Sequence, residues 1–233
     1  MTTNLSPTFW RNHLQIPFAL FVILALSIEL GGVDMWLADK FYAWEGGTWA
    51  LKNAWLTSAI IHNAGKHLSL LIALFILLAF ISTYFSQRFR QYRRELLYLL
   101  LAAGGGSLLI SILKDITHVS CAWDFSRYGG DREYATVFIQ MLQRKGHNCF
   151  PAGHASGGYA WLAFYFLGIH LNSKWRWAGL ALACTVGLIF GISQQLRGAH
   201  FISHDLWTLG ICWFFSLFVF KLMLVDKKHS SKI

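Results

Sequence analysis

Long apolar stretches separated by short polar ones set the pattern of this chain. Six of them stand out, at residues 16–30, 67–85, 96–113, 155–171, 178–196 and 203–225. Crossing the roughly 30 Å hydrocarbon core of a bilayer takes about 20 predominantly apolar residues in a helix. The pattern therefore predicts an all-α, six-span transmembrane helix bundle. The first stretch is short and carries Glu29 near one end. It lacks the dense basic start and the small-residue cleavage site of a removable signal. No linker, repeat or low-complexity tract interrupts the chain, so residues 1–233 read as a single domain. Two connecting segments are long. Residues 31–66 are rich in tryptophan and small residues, which suits short amphipathic helices lying on the membrane surface. Residues 115–153 contain the turn-forming run "DFSRYGGDREY". The triple glycine Gly104, Gly105, Gly106 in the third stretch suits close helix packing.

Composition agrees with the pattern. Hydrophobic residues make up 55% of the chain and charged ones only 13%, where a soluble domain carries about a quarter. Charge then sets orientation. With both termini cytoplasmic, the inner segments hold Arg11, Arg88, Arg90, Arg93, Arg94, Lys174, Arg176, Lys221, Lys227, Lys228 and Lys232 against Glu95 and Asp226. The outer segments are close to balance, as the positive-inside rule requires. The net charge of +9 is thus a matter of topology, and no nucleic-acid partner is implied. Trp10, Trp36, Trp44, Trp49, Trp55, Trp123, Trp175, Trp177 and Trp207 cluster near the expected span ends, as interfacial tryptophans do.

That orientation brings polar residues to one depth. Lys114 ends the third span, His154 precedes the fourth, Arg197 ends the fifth, and His200, His204 and Asp205 open the sixth. Histidines are poor membrane anchors, and two cations with three histidines at one level suit phosphoryl transfer. A phosphate needs fixed cations and backbone N–H donors, which a helix N-terminus at Ala152 and Gly153 supplies. Gly153, without a side chain, lets an anion approach the backbone. A neutral histidine can attack phosphorus, and a protonated one can give its proton to the leaving alkoxide. Cations that carry the developing charge make a metal or other cofactor unnecessary.

The segments "KDITHVSCA", "PAGH" and "SQQLRGAHFISH" resemble the three motifs of the type 2 phosphatidic acid phosphatase superfamily, K-x6-R-P, P-S-G-H and S-R-x5-H-x3-D. The resemblance spans Lys114 to Asp205 and the six-span frame. It implies an integral-membrane lipid phosphatase or phosphotransferase in which His200 is the nucleophile and forms a phosphohistidine. His154 is then the acid for the leaving group, and Lys114 binds phosphate. This chain departs from the motifs. Cys121 and Ala122 replace Arg-Pro, Ala152 replaces serine, and Gln194 occupies the arginine position with Arg197 three residues on. Those two positions are helix neighbours, about 5–6 Å apart at Cβ, so Arg197 can cover the same phosphate. His204 stands where the family has its orienting aspartate, with Asp205 next, and either side chain is a candidate to hold His200.

Cys184 and Cys212 lie within spans and read as buried thiols. Cys121 and Cys149 both lie in the second outer segment, and in an oxidising bacterial periplasm a disulfide between them is expected. The expected setting is the bacterial inner membrane with the active site facing the periplasm. The substrate partner is a phosphorylated lipid of the bilayer: lipid A, a polyprenyl diphosphate or a phosphatidylglycerophosphate. Arg127, Arg132 and Lys66 are further cations that could meet a second phosphate or head group. Two other readings stay open. "HFISH" places His200 and His204 at i, i+4, a zinc-binding spacing that His154 could complete. A non-enzymatic anion carrier would use the same cations at its mouth. Cysteine labelling tests the orientation: residues near Gly129 should react from outside and residues near Gln91 from inside, and the reverse would place the site in the cytoplasm.

Overall fold

The structure, a computed structural model, describes residues 5–225 except for the side chains of His62, Ala64 and Lys66. Asp226, Lys227, Lys228 and Lys232, counted above on the inner side, lie outside the described residues, as does the Lys66 side chain. Helix α1, Pro7–Gly31, starts nearer the N-terminus than its apolar run suggests. Ser6 caps it by accepting from the Phe9 N–H, Pro7 takes the first helical position, and the polar residues Arg11–Gln15 continue it as a wider π turn. Gly32, at φ 63°, ends it in the left-handed conformation and opens α2, Val33–Trp44. A 3-10 turn at Ala50–Asn53 and π turns at Leu56–Ala64 lead into α3, Gly65–Phe85. Helix α4 occupies residues 93–117 with a π turn at Leu100–Gly104.

The second outer segment holds two 3-10 turns, Ala122–Asp124 and Ser126–Tyr128, and the short α5, Val137–Gln143. Helix α6 covers residues 153–170 and is broken by a 3-10 turn at Ala160–Leu162. Helices α7, Arg176–Leu196, and α8, Ile202–Met223, complete the described chain.

Among the described residues, five helices are long and apolar enough to cross a membrane, and the expected fourth span is not one of them. The reason lies in its surroundings. Ala155, Tyr159, Ala160, Leu162, Ala163 and Phe166 of α6 are all buried by neighbouring helices. A helix sheathed by protein needs small residues for close approach more than an apolar surface for lipid. A Cβ at Gly158 would lie 2.2 Å from the Gly187 nitrogen of α7, and one at Gly187 would lie 2.3 Å from the Tyr159 ring. The two backbones meet there because both positions lack side chains. Across the bundle, the Tyr98 hydroxyl of α4 reaches the carbonyls of Ala163 in α6 and Ser216 in α8. Of the triple glycine, Gly105 packs against Phe215, whereas a Cβ at Gly104 would meet nothing within 4 Å.

The outer segments form a layer over the bundle. Ala38 of α2, Ala122, Phe125, Tyr128 and Phe201 make a small apolar core between them. Arg127 pairs with Asp39 through two bonds of 2.6 Å, an exposed pair that stabilises little. Arg132 donates to the Lys145 carbonyl. Both loop cations are thus engaged within this layer. A disulfide joins Cys121 and Cys149, 28 residues apart with Cα atoms 5.2 Å from each other. A loop of that length corresponds to about 3.5 kcal/mol in the chain-entropy account.

Two predictions follow from this packing. Gly187→Ala pushes a methyl into the Tyr159 ring and should lower stability in detergent by about 1–3 kcal/mol. Gly104→Ala should be neutral or stabilising by up to about 1 kcal/mol, since alanine is the better helix former. Equal thermal shifts for the two would contradict the close α6–α7 approach. Separately, mass spectrometry of non-reduced protein should recover the Cys121 and Cys149 peptides linked. Free alkylation of both thiols in native, unreduced protein would show that the tether does not form.

Candidate active site

Three chain segments deliver the site. Lys114 stands in the last turn of α4, His154 in the first turn of α6, and His200 in the link between α7 and α8. Lys114, Asp115, Gly153 and His154 line one cavity of about 590 Å3, with Ser69, Ser107, Ser111, Asn148, Ser156 and Phe190. A Cβ at Gly153 would sit 3.7 Å from the Lys114 ammonium nitrogen. The absent side chain therefore leaves open the space between that cation and the α6 backbone. No side chain caps the start of α6, so its first-turn N–H groups have no side-chain acceptor. Ala152 donates its N–H to the His204 carbonyl at 3.3 Å, and its carbonyl accepts from Thr208. It holds the start of α6 against α8.

His200 is 4% exposed. Burial holds its imidazole well below the usual histidine range, and the positive charges that His204, Lys114 and His154 can carry push it the same way. The Cys149 backbone opposes this by accepting a hydrogen bond. The result is a neutral ring at physiological pH, the form in which an imidazole is a nucleophile. Its Nδ1 lies 3.4 Å from Nδ1 of His204, so one ring donates to the other. His204 is fully buried, with the Phe150 and Phe201 rings edge-on to it.

Asp205 points elsewhere. It is buried against α7, where Gln195 donates to it, and a Cβ at Gly191 would collide with its carboxylate. Of the two candidates for holding His200, the structure brings His204 to it and not Asp205. Helix rotation separates adjacent residues by about 100°, which is why one faces the site and the other the neighbouring helix.

Arg197 is half-buried. It donates from Nε to the Lys52 carbonyl at 2.8 Å and to the Gln194 side chain at 3.1 Å. The first outer segment thus grips Arg197, the arginine that lies three residues beyond the motif's arginine position. Gly198, at φ +69°, makes the turn that follows, and any Cβ there would strike the Trp49 ring. The zinc reading finds no geometric support. Among the described residues, the ligand atoms close enough to share an ion belong to Cys121, Asp124 and Cys149, and those cysteines are bonded to each other.

Sequence reasoning missed Asp34, Lys52 and Gln195. Asp34 is 3% exposed and accepts from both the N–H and the hydroxyl of Ser203, 169 residues away. Asp34 and Lys52 lie outside the motif segments, and Gln195 falls at an unspecified position of the third, so no sequence signal marks them.

Comparison with known proteins adds the family. A search of the curated proteins finds no match. One solved structure is similar in fold: the crystal structure of a transmembrane PAP2-type phosphatidylglycerolphosphate phosphatase from Bacillus subtilis. It shares 20% sequence identity and a TM-score of 0.57 over 92% of this chain and 98% of that one. Residues 95–228, more than half of the chain and all three motif segments, match the PAP2 superfamily. This multi-pass, all-helical membrane protein belongs to the PAP2 superfamily.

Proposed function

We propose that the protein is a membrane lipid phosphatase that works through a phosphohistidine on His200. The observation that carries this reading is that Lys114 and His154 share one cavity while a neutral, buried His200, from a third segment, lies close enough for the charge of both to act on it. Nε2 of His200 attacks phosphorus while Nδ1 faces His204. The P–N bond forms as the bond to the lipid oxygen breaks, and His154 gives its proton to the leaving alkoxide. Lys114, the α6 N–H groups and Arg197 stabilise the charge on the transferring group. Water, deprotonated by the now neutral His154, then attacks phosphorus, releasing phosphate and restoring His200. A lipid hydroxyl in place of water would make the protein a phosphotransferase.

The membrane-embedded frame suits a phosphorylated lipid, and the similarity to the B. subtilis phosphatidylglycerolphosphate phosphatase suggests phosphatidylglycerophosphate beside lipid A and polyprenyl diphosphates. The basic inner segments favour a site facing the periplasm of a bacterial inner membrane.

The test is a panel of these lipids, with release of phosphate and formation of phosphorylated lipid both measured, in the presence of a chelator. Activity should survive the chelator; loss restored by zinc would overturn the metal-independent mechanism. His200→Ala should abolish turnover on every substrate. His154→Ala should lose about 10²–10⁴-fold on a lipid alkoxide yet keep measurable cleavage of an activated aryl phosphate. Arg197→Ala should impair both substrates. Equal losses for the two histidine variants across good and poor leaving groups would refute the division of roles.

A further inference from the structure

The nucleophile's segment is held from outside the family's motifs. Helix α8 begins at Ile202 behind Phe201, a residue with no side chain able to cap it. Its first N–H groups therefore need an acceptor from elsewhere. Asp34, in the first turn of α2, provides one. Its Oδ1 accepts the Ser203 N–H at 2.9 Å, and its Oδ2 accepts the Ser203 hydroxyl at 2.5 Å. Ser203 sits three residues after His200 and one before His204. Asp34 and His200 also line the same narrow crevice, with Gln195, Phe201 and Ile202. A carboxylate at a helix N-terminus is in a favourable field, and two bonds to one residue fix the rotation of the turn as well as its position. In this chain a histidine stands where the family's motif has its aspartate, and the buried carboxylate bonded to this turn comes from α2 instead.

We propose that Asp34 is a positioning residue for phosphoryl transfer: by holding Ser203 it fixes the turn that aims His200 and keeps it against His204. This rests on the reading of His200 as nucleophile. Asp34 acts through Ser203 and does not touch the phosphate, which is bound by Lys114 and the start of α6. Its loss should therefore slow the chemical step and leave substrate affinity alone. The charged groups around Asp34 are the Glu29 and Asp205 carboxylates and, once ionised, the Tyr134 hydroxyl. Burial raises the Asp34 carboxyl from 3.8 to about 6. Its charge is present above that pH and is lost as the pH falls through it.

The experiment uses the full-length protein, an aryl phosphate and a lipid phosphate. Asp34→Ala should lower kcat on the order of 10–100-fold on both substrates, as expected when a reacting group is misplaced by about an ångström, with KM within about twofold. Asp34→Asn, which keeps one acceptor oxygen but not the charge, should recover only part of that rate. The wild-type rate should fall as pH drops through about 6, and Asp34→Asn should lack that limb. If the alanine variant does not fold, the pH limb of the asparagine variant decides. A reading independent of turnover is carbethoxylation of His200 followed by mass spectrometry, which should be faster in either variant than in the wild type. Unchanged kcat and unchanged labelling, or a loss confined to KM, would overturn the role of Asp34. An inactive wild type whose His200 labelling still responds to Asp34 would instead overturn the phosphatase reading.

Discussion

The approach of α6 to α7 at Gly158 and Gly187 controls where the first turn of α6 sits. With no side chains between them, the two backbones come close enough to seat α6 inside the bundle, against α4 and α8 as well. Its first turn then opens beside Lys114 at the end of α4, and Ala152 bonds back to His204 and Thr208 of α8. A bulkier residue at either glycine would move the start of α6, and with it His154, away from both partners. Core packing and the spacing of Lys114 and His154 are the same constraint in this protein.

A second constraint is electrostatic. His200 and His204 are buried side by side next to Lys114, and protonating either would place like charges together out of water. The surroundings keep His200 neutral, while the Cys149 backbone supplies an acceptor. Cys149 is itself held by the disulfide to Cys121 and by its N–H to the Val119 carbonyl. The outer layer therefore does more than cover the bundle. It grips His200's turn through Asp34 and Arg197 through Lys52, and its Phe150 carbonyl accepts from Thr117 at the end of α4.

The matched family region begins at residue 95, so Asp34 and Lys52 lie outside it. Residues of the amino-terminal third nonetheless bond into the third motif segment, Asp34 to Ser203 and the Lys52 carbonyl to Arg197. A motif weakened in its own sequence, with Gln194 and His204 at altered positions, is accompanied here by contacts from a separate part of the chain.

What the sequence by itself determined was the helical frame and the three histidines, lysine and arginine at the helix ends. These depend on local quantities: the transfer free energy of each residue into lipid, summed over about 20 positions, and the spacing of motif residues along one segment. The fourth stretch shows the limit, because α6 is sheathed by protein and its glycines and histidines dilute the apolar signal. Only the tertiary structure decided that His204 and not Asp205 meets His200, that Gln195 takes Asp205, and that Asp34 and Lys52 reach Ser203 and Arg197. Hydrogen bonds of this kind join groups up to 169 residues apart. They depend on how buried faces rotate toward one another, and no period in the sequence records that rotation.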